Sequence, residues 1–239
     1  MPEDERPLPP PALTVLGGGT VEIRGRMPWS SNATFLARVV CGESELNAVY
    51  KPGRGERPLW DFPDGLYRRE AAAWVLSEAL GWGVVPETIV RIDAPYGPGS
   101  LQRFVDADFE QHYFTLLDDE QHWPALMTIA AFDLLANNAD RKSGHCLLAE
   151  GRIWGIDQGL CFHEAPKLRT VMWDFAGADI PEALVDDIRR VSGDFPPGLS
   201  DLLHPGEVAA LSRRMDKVAR HPIYPHPSGH HHDYPWPMV

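Results

Sequence analysis

The 239-residue chain has few cysteines and few lysines, and it has no long apolar run. Its apolar stretches are far shorter than the ~18–20 residues that a membrane helix needs, so we expect no transmembrane segment. The opening residues MPEDERPLPPP lack the apolar core of a secretory signal, which favours a cytoplasmic protein. Cys41, Cys146 and Cys161 are odd in number and form no CxxC pair, which indicates reduced thiols and disfavours a zinc site.

Basic residues are in the minority. The chain has 22 Lys and Arg against 34 Asp and Glu, which gives a net charge of −12. Residues 1–106 hold 11 bases and 14 acids, a net −3, whereas residues 107–239 hold 11 bases and 20 acids, a net −9. Such a chain is a poor candidate for nucleic-acid binding through phosphate neutralisation. Its 44% hydrophobic content excludes compositional disorder.

Prolines cluster at both ends, with five in residues 1–12 and five in residues 221–239. Proline lacks a backbone donor and favours extended chain, so we predict an N-terminal and a C-terminal tail. The C-terminal one also carries His230-His231-His232, which favours a solvated polar segment over a metal trap.

Between the proline-rich ends, strands come first and helices later. The early strands are predicted at Thr20–Arg26, Thr34–Cys41, Leu46–Lys51, Thr88–Ile92 and Ser100–Val105. Helices are predicted at Tyr67–Leu80 (with Asp64 as its cap), Trp123–Ala136, Pro181–Val191 and Pro205–Ala219. A hairpin around Glu150-Gly151 joins two short runs, Cys146–Leu148 and Ile153–Ile156.

This order predicts an α+β, two-lobed protein-kinase-like fold. An N-lobe, residues 13–106, combines an antiparallel sheet with one helix. A mainly helical C-lobe, residues 107–220, holds the polar loops.

Lys51 stands at the end of an apolar strand, in AVYKP, and Glu70 lies in the helix that follows. Lys51 is either a phosphate-binding cation or an edge lysine that protects the sheet. Glu70 is either the ion-pair partner of Lys51 or an ordinary glutamate at a helix start.

Asp140 and Asp157 are separated by the predicted hairpin, which allows the two carboxylates to approach one another. Asp140, in NNADRKSGH, could accept a proton from a hydroxyl, or it could simply form a turn. Asp157, in WGIDQG, could bind Mg²⁺ through its hard oxygen atoms, or it could close the strand as an Asx-turn.

The order of these features is more informative than any one of them. The chain offers a strand, a small polar turn, a second strand, a third strand with lysine, a helix with glutamate, an Asp loop, a hairpin and Asp-x-Gly. This order builds a phosphoryl-transfer site. In such a site Lys51 neutralises phosphate, Glu70 holds Lys51, Asp157 carries Mg²⁺ and Asp140 orients the attacking hydroxyl.

The motifs NAVYKP, YRRE, NNADR and WGIDQGLCFH resemble the phosphatidylinositol 3-/4-kinase-like atypical kinases. The likeness is to the type II phosphatidylinositol 4-kinase branch and its small actinobacterial relatives, and it covers roughly residues 20–165. It implies an ATP-dependent kinase with Mg²⁺ as its cofactor.

The resemblance implies a role for each matching position. The phosphate-covering turn comprises Ser30, Ser31 and Asn32. The ATP-binding lysine is Lys51, with Glu70 as its partner. The hinge that contacts adenine comprises Gln102, Arg103, Phe104 and Val105. Asp140 and Arg141 match the catalytic Asp-Arg motif, and Asp157 matches the metal-binding aspartate.

His145 departs from that pattern, because the family has asparagine there as a second metal ligand. Imidazole suits Mn²⁺ or another transition ion better than Mg²⁺, so His145 indicates altered metal use, a phosphate contact or lost activity. A nucleotide-binding pseudokinase with a regulatory or scaffolding role is therefore the alternative function. A structural protein with decayed kinase ancestry is a third.

The acceptor hydroxyl is not identified by the sequence. The family name favours an inositol lipid, whereas a kinase acting on an anionic membrane gains from clustered Lys and Arg. With a net −9 after residue 106, we favour a protein or a small polyol as the acceptor.

Overall fold

A computed structural model describes residues 12–28, 32–229 and 231–239. The chain forms two compact units. The first comprises Met1–Arg57 and Glu87–Phe104, and the second comprises Pro58–Pro86 and Val105–Val239. The boundaries differ from the predicted lobes, because residues 58–86, which include the helix that carries Glu70, belong to the second unit.

The first unit is a five-stranded antiparallel sheet preceded by a short helix. The elements are α1 (Ala12–Gly18), β1 (Thr20–Arg26), β2 (Phe35–Cys41), β3 (Ser44–Pro52), β4 (Thr88–Arg91) and β5 (Gly99–Arg103), with a single 3₁₀ turn at Gly53–Gly55. The strand order in the sheet is β1-β2-β3-β5-β4. The sequence predicts each strand to within two residues, whereas α1 is an addition to the prediction.

Alternating burial explains how this sheet holds together. Ala37 and Val39 of β2 and Ala48 and Tyr50 of β3 are fully buried, and Leu16 of α1 packs into the same core. The β2–β3 turn places Gly42 at φ +61°, a left-handed conformation that glycine adopts at little cost. The chain therefore reverses in two residues, and Cys41 pairs with Ser44.

The second unit is mainly helical. Its elements are α2 (Leu66–Leu80), α3 (Tyr113–Leu117), α4 (Trp123–Ala136), the hairpin of β6 (Cys146–Ala149) and β7 (Arg152–Gly155), α5 (Glu182–Gly193), α6 (Pro197–Leu202) and α7 (Pro205–Arg220). Single 3₁₀ turns lie at Glu120–His122, Ser143–His145, Trp173–Phe175 and His231–Asp233.

Helix α4 forms the centre of the second unit. Its predicted bounds are confirmed, and Leu126, Ile129 and Phe132 are fully buried in the main core. The helix ends because Asn137 adopts φ +53°, a left-handed C-cap conformation that asparagine tolerates. This cap turns the chain into the polar loop that follows.

Two local predictions for this unit need correction. Helix α2 begins after Gly65, which takes the N-cap position at φ 88°, so Asp64 is not the cap. Residues after 220 do not form a free tail: Ile180 N donates to Pro222 O at 2.8 Å, and the Tyr224 hydroxyl donates to Met127 O at 2.8 Å. Proline-rich chain packs here through its backbone carbonyls and aromatic rings, which composition does not reveal.

The architecture is α+β, with an antiparallel sheet in the N-terminal region and helices in the C-terminal region, so the predicted fold class is confirmed. No helix in the described ranges is long and apolar enough to cross a membrane.

Candidate phosphoryl-transfer site

The loop that follows α4 carries Asp140. Its backbone N–H donates to Asn138 Oδ1 at 2.9 Å, and its carboxylate lies 3.3 Å from Lys142 Nζ. The side chain is 26% exposed. Burial raises the pKa of Asp140 to about 6; the Lys142 charge opposes this rise, and the Asp157 charge adds to it. Asp140 is therefore a carboxylate with the basicity that a general base needs near neutral pH.

Asp157 follows β7 and is held in a left-handed conformation, at φ +58°. Its side chain is half-exposed, and its Oδ2 lies 3.5 Å from His145 Nε2. Lys142 N donates to His145 Nδ1 at 3.4 Å, so this network assigns the ring proton to Nε2. The Nε2 edge of His145 therefore faces the Asp157 carboxylate.

Glu70 lies on α2 and is buried in the second unit. Its Oε2 accepts a hydrogen bond of 3.0 Å from the backbone N–H of Gln158. A Cβ added to Gly159 would lie 3.3 Å from Glu70 Oε1, so this glutamate packs directly on the Asp157-Gln158-Gly159 turn. Glu70 thus helps to fix the backbone that presents Asp157.

Arg141 joins the two acidic segments from below the surface. Its guanidinium is fully buried and forms a bidentate pair with Asp133 of α4, at 2.8 and 2.9 Å. The same group donates to Ile156 O at 2.8 Å and to Gln158 Oε1 at 3.2 Å. Burial alone would lower the pKa of Arg141, but the Asp133 carboxylate raises it above its ordinary value. Arg141 therefore stays charged and ties the Asp140 loop to the Asp157 turn.

Two asparagines complete the support of this loop. Asn138 Nδ2 donates to Asp133 Oδ1 at 3.0 Å. Asn137 Nδ2 donates to His163 O and Ala165 O at 2.9 and 2.8 Å. The Asn138 side chain thus binds the Asp133 carboxylate, and the Asn137 side chain binds backbone carbonyls, so both stabilise the loop.

The first unit holds most of the residues predicted to contact the nucleotide, whereas Glu70 and Val105 belong to the second unit. Lys51 is half-buried on β3 and pairs in register with Ser100 of β5. Gly99 precedes Ser100 in β5, and a Cβ at Gly99 would lie 2.4 Å from Lys51 O, so only glycine allows this strand pairing. Asn32 Oδ1 accepts a hydrogen bond of 3.0 Å from Arg57 N. Ser30 and Ser31 lie outside the described residues.

The predicted hinge, Gln102–Val105, spans the point where the chain passes from one unit to the other. Gln102 Nε2 donates to Thr88 Oγ1 at 2.8 Å, and Arg103 Nε donates to Glu87 Oε2 at 2.6 Å. Phe104 N donates to Asn47 O at 2.9 Å. Val105 is the first residue of this stretch in the second unit, where it packs with Trp154.

The structure therefore brings together one set of the predicted site residues within the second unit. That set comprises Glu70, Asp140, Arg141, His145 and Asp157. Lys51, Asn32 and Gln102–Phe104 lie in the first unit. The Lys51–Glu70 ion pair joins residues of different units and stays a prediction.

The donor chemistry of the second unit fits a hard divalent cation. Over the described ranges, no three His, Cys, Asp or Glu side chains form a group that could hold a metal ion by themselves. Mg²⁺ in phosphoryl-transfer sites needs no such cage, because one or two carboxylates hold it while phosphate oxygens and water complete the shell. The half-exposed carboxylate of Asp157, with Asp140 nearby, suits that kind of binding.

Sequence reasoning missed Asp133 and Gln158, which are both fully buried in the network. One signal for Asp133 was available: it is the lone charged residue of the helix WPALMTIAAFDLLA. A single acid in an otherwise apolar helix indicates a buried partner, since an unpaired buried charge is costly. Gln158 carries no comparable signal.

Comparison with curated proteins identifies a relative. Protein Rv2133c of Mycobacterium tuberculosis is 38% identical over 266 aligned positions, which cover 93% of this chain and 94% of the relative. The chain belongs to the Rv2133c family. No protein-family model matches it.

Solved structures show that the fold is shared with atypical kinases. The structure of hydra Fam20 with sugar aligns with a TM-score of 0.52 and 16% identity, over 87% of this chain and 86% of that one. The Golgi casein kinase with Mn/ADP bound aligns with a TM-score of 0.50 and 14% identity, over 84% and 73%. At these identities the likeness establishes a kinase-like fold.

Proposed function

We propose that the chain is an ATP-dependent phosphotransferase that moves the γ-phosphate of ATP to a hydroxyl. One observation carries the proposal: the buried guanidinium of Arg141, the residue after Asp140, binds Ile156 O and Gln158 Oε1 on either side of Asp157, so one network holds both acidic residues. A basic carboxylate beside a half-exposed one supplies a proton acceptor and a metal ligand.

In this proposal Asp140 acts as the base. The acceptor hydroxyl donates its proton to the Asp140 carboxylate while its oxygen bonds to the γ-phosphorus. The bond from that phosphorus to the bridging oxygen breaks, and ADP leaves with the electron pair. We assign Arg141 a positioning role in place of the catalytic one predicted, because a fully buried guanidinium does not reach a substrate.

Asp157 would hold Mg²⁺ or Mn²⁺, and the metal would neutralise phosphate charge when bound. The fold shared with the Golgi casein kinase, whose structure contains Mn/ADP, supports the use of a nucleotide with a divalent cation. His145 would serve by orienting Asp157 through its Nε2 proton. Lys51, with Glu70 as its partner, would bind ATP phosphates, and the turn containing Asn32 would cover them.

The acceptor is proposed to be a protein or a small polyol. The hydra Fam20 structure contains a sugar and the Golgi casein kinase is named for a protein, which supports hydroxyl acceptors of both kinds. The net −9 of residues 107–239 disfavours an anionic lipid surface. The phosphatidylinositol kinase branch stays a prediction from sequence motifs.

A nucleotide-binding pseudokinase is the second candidate. It is favoured by His145, which occupies the position of the expected asparagine and contacts Asp157. In that case the chain would bind ATP with a divalent cation and transfer no phosphate.

Thermal shift and turnover assays together separate these functions. Saturating ATP with Mg²⁺ or Mn²⁺, at about 100 times Kd, should stabilise the protein by about 2.7 kcal/mol. Lys51→Ala should reduce that shift, whereas Lys217→Ala, a matched change on α7, should not. A shift accompanied by ATP turnover supports the kinase, and a shift without turnover supports the pseudokinase. No shift with any nucleotide contradicts both.

A further inference from the structure

The C-terminal segment Asp233–Val239, called here the C-terminal strap, is hydrogen-bonded to the second unit. Ser143 N donates to Met238 O at 2.8 Å. Thr170 N and Trp173 Nε1 each donate to Asp233 O at 3.1 Å. The strap is therefore anchored at both of its ends.

The groups that bind the strap lie beside the candidate base. Ser143 follows Asp140 by three residues on the same loop. Thr170 lies opposite Arg141, because Arg141 N donates to Arg169 O at 3.0 Å and Val171 N donates to Arg141 O at 3.1 Å. The strap is thus hydrogen-bonded to the loop that contains Asp140 and to the segment that pairs with that loop.

These contacts recognise the backbone of a polypeptide. All three donors bind carbonyl oxygens, at Asp233 and Met238, and none of them binds a side chain of the strap. Backbone-directed hydrogen bonds of this kind accept many sequences.

The strap is hydrogen-bonded near both ends, but most of its side chains beyond Asp233 are exposed. The buried carboxylate of Asp233 accepts bonds from Ser228 Oγ at 2.7 Å and from Gly229 N at 2.8 Å. Further along, Trp236 is 88% exposed and Val239 is 67% exposed. Segments with few buried contacts open at low free-energy cost. A strap of this kind can leave its surface without unfolding the unit.

We propose that the strap occupies the acceptor-binding surface of the enzyme, and that the acceptor is a polypeptide segment which must displace it. This inference rests on the proposed phosphotransferase function and names its acceptor class. The residues after Asp233, YPWPMV, contain no serine or threonine, so the strap can cover the surface without offering an aliphatic hydroxyl.

The test releases the strap in the full-length chain. Asp233→Ala removes the carboxylate that Ser228 and Gly229 bind. Asp201→Ala, at an exposed aspartate of α6, is the control with the same change in charge. Trp173→Phe, which removes one bond to the strap, is the second variant if Asp233→Ala lowers stability.

Two readouts are made on each variant. Hydrogen exchange reports whether the Ser143 and Thr170 amides lose protection, and whether a synthetic peptide of residues 228–239 restores it. Kinetics use a peptide library with one central serine or threonine, and phosphatidylinositol vesicles as the other acceptor. If the strap covers the surface in about nine of ten molecules, its release lowers the apparent KM for the library about tenfold. The KM for ATP stays unchanged, and the synthetic peptide competes with the library.

Four results would contradict either this proposal or the proposed phosphotransferase function. Unchanged exchange in both Asp233→Ala and Trp173→Phe shows that the strap does not open and overturns the proposal. Faster exchange with an unchanged library KM overturns the strap's place on the acceptor surface. Phosphorylation of vesicles instead of peptides overturns the polypeptide acceptor. Absence of any ATP turnover, with the library still protecting the two amides, overturns the phosphotransferase function and supports polypeptide binding at this surface.

Discussion

Arg141 and Asp133 form a bidentate ion pair at 2.8 and 2.9 Å, with both side chains almost completely excluded from solvent. Asp133 belongs to a core helix, and Arg141 directly follows the candidate base. The remaining donors of Arg141 bind the backbone before Asp157 and the side chain after it. One buried pair therefore sets the position of both acidic residues of the site.

The first prediction concerns this pair. Asp133→Asn leaves the Arg141 charge buried without its counter-ion, so we expect the free energy of unfolding to fall by about 3–5 kcal/mol. The matched control is Asp186→Asn, since Asp186 pairs with Arg189 at the same 2.8 Å but in solvent. There we expect a loss below about 1 kcal/mol. Denaturant unfolding of both variants checks this, and equal losses would show that burial is not the cause.

The second prediction concerns the pH dependence of turnover. Asp140 must be ionised to accept a proton, and its pKa is about 6, so kcat/KM should fall as pH drops below about 6 and level off above it. Lys142→Met removes the positive charge that lowers this pKa, so the inflection should move to higher pH. A pH–rate profile measures both. If the inflection lies at the same pH in Lys142→Met as in the natural chain, Asp140 is not the titrating group.

The third prediction separates stability from activity at Asp140. Its folded-state pKa lies above the ordinary value of 3.8, so the folded protein binds the proton more tightly than the unfolded chain does. Ionisation therefore costs stability, fully above pH ~6 and not at all below pH ~4. Asp140→Asn should raise the free energy of unfolding by about 1–2 kcal/mol at pH ~8, at about 1.4 kcal/mol per pKa unit discounted for partial exposure. Unfolding curves of Asp140→Asn and the natural chain, measured at pH ~8 and below pH ~4, test this. A gain in the free energy of unfolding that persists at the lower pH would contradict it.

The fourth prediction concerns His145. His145→Ala removes the N–H that faces Asp157 and the acceptor for Lys142 N. Losing an outer partner of a metal ligand typically weakens metal binding by about 10–100-fold, so the Mg²⁺ or Mn²⁺ concentration for half-maximal turnover should rise by that factor. Metal titrations by turnover and by thermal shift check this. His122→Ala, on the 3₁₀ turn before α4, is the control, and equal effects at the two positions would deny His145 this role.

Sequence patterns predict the strands and long helices of this fold because hydrophobic periodicity and glycine positions act locally. Helix α4 is found at its predicted residues, and the hairpin turns at Glu150-Gly151, where both residues adopt positive φ. The supporting network is different in kind. Gln158 matters only because the fold places it against Arg141, and no local pattern encodes that contact.

The contacts of the C-terminal strap could not be predicted from the sequence either. Its proline-rich composition predicts an extended chain without partners, and proline indeed removes backbone donors. The backbone acceptors remain, and Asp233 O and Met238 O use them to bind the second unit. A residue count does not reveal which surface those carbonyls meet.

The most direct test of the central claim is transfer of labelled γ-phosphate from ATP, with Mg²⁺ or Mn²⁺, by the full-length protein and by Asp140→Asn. Asp201→Asn serves as the exposed control. We predict transfer by the natural chain and by Asp201→Asn, and a rate lowered by about 10²–10⁴-fold in Asp140→Asn. Asp140→Asn transferring phosphate as fast as the natural chain would contradict the account.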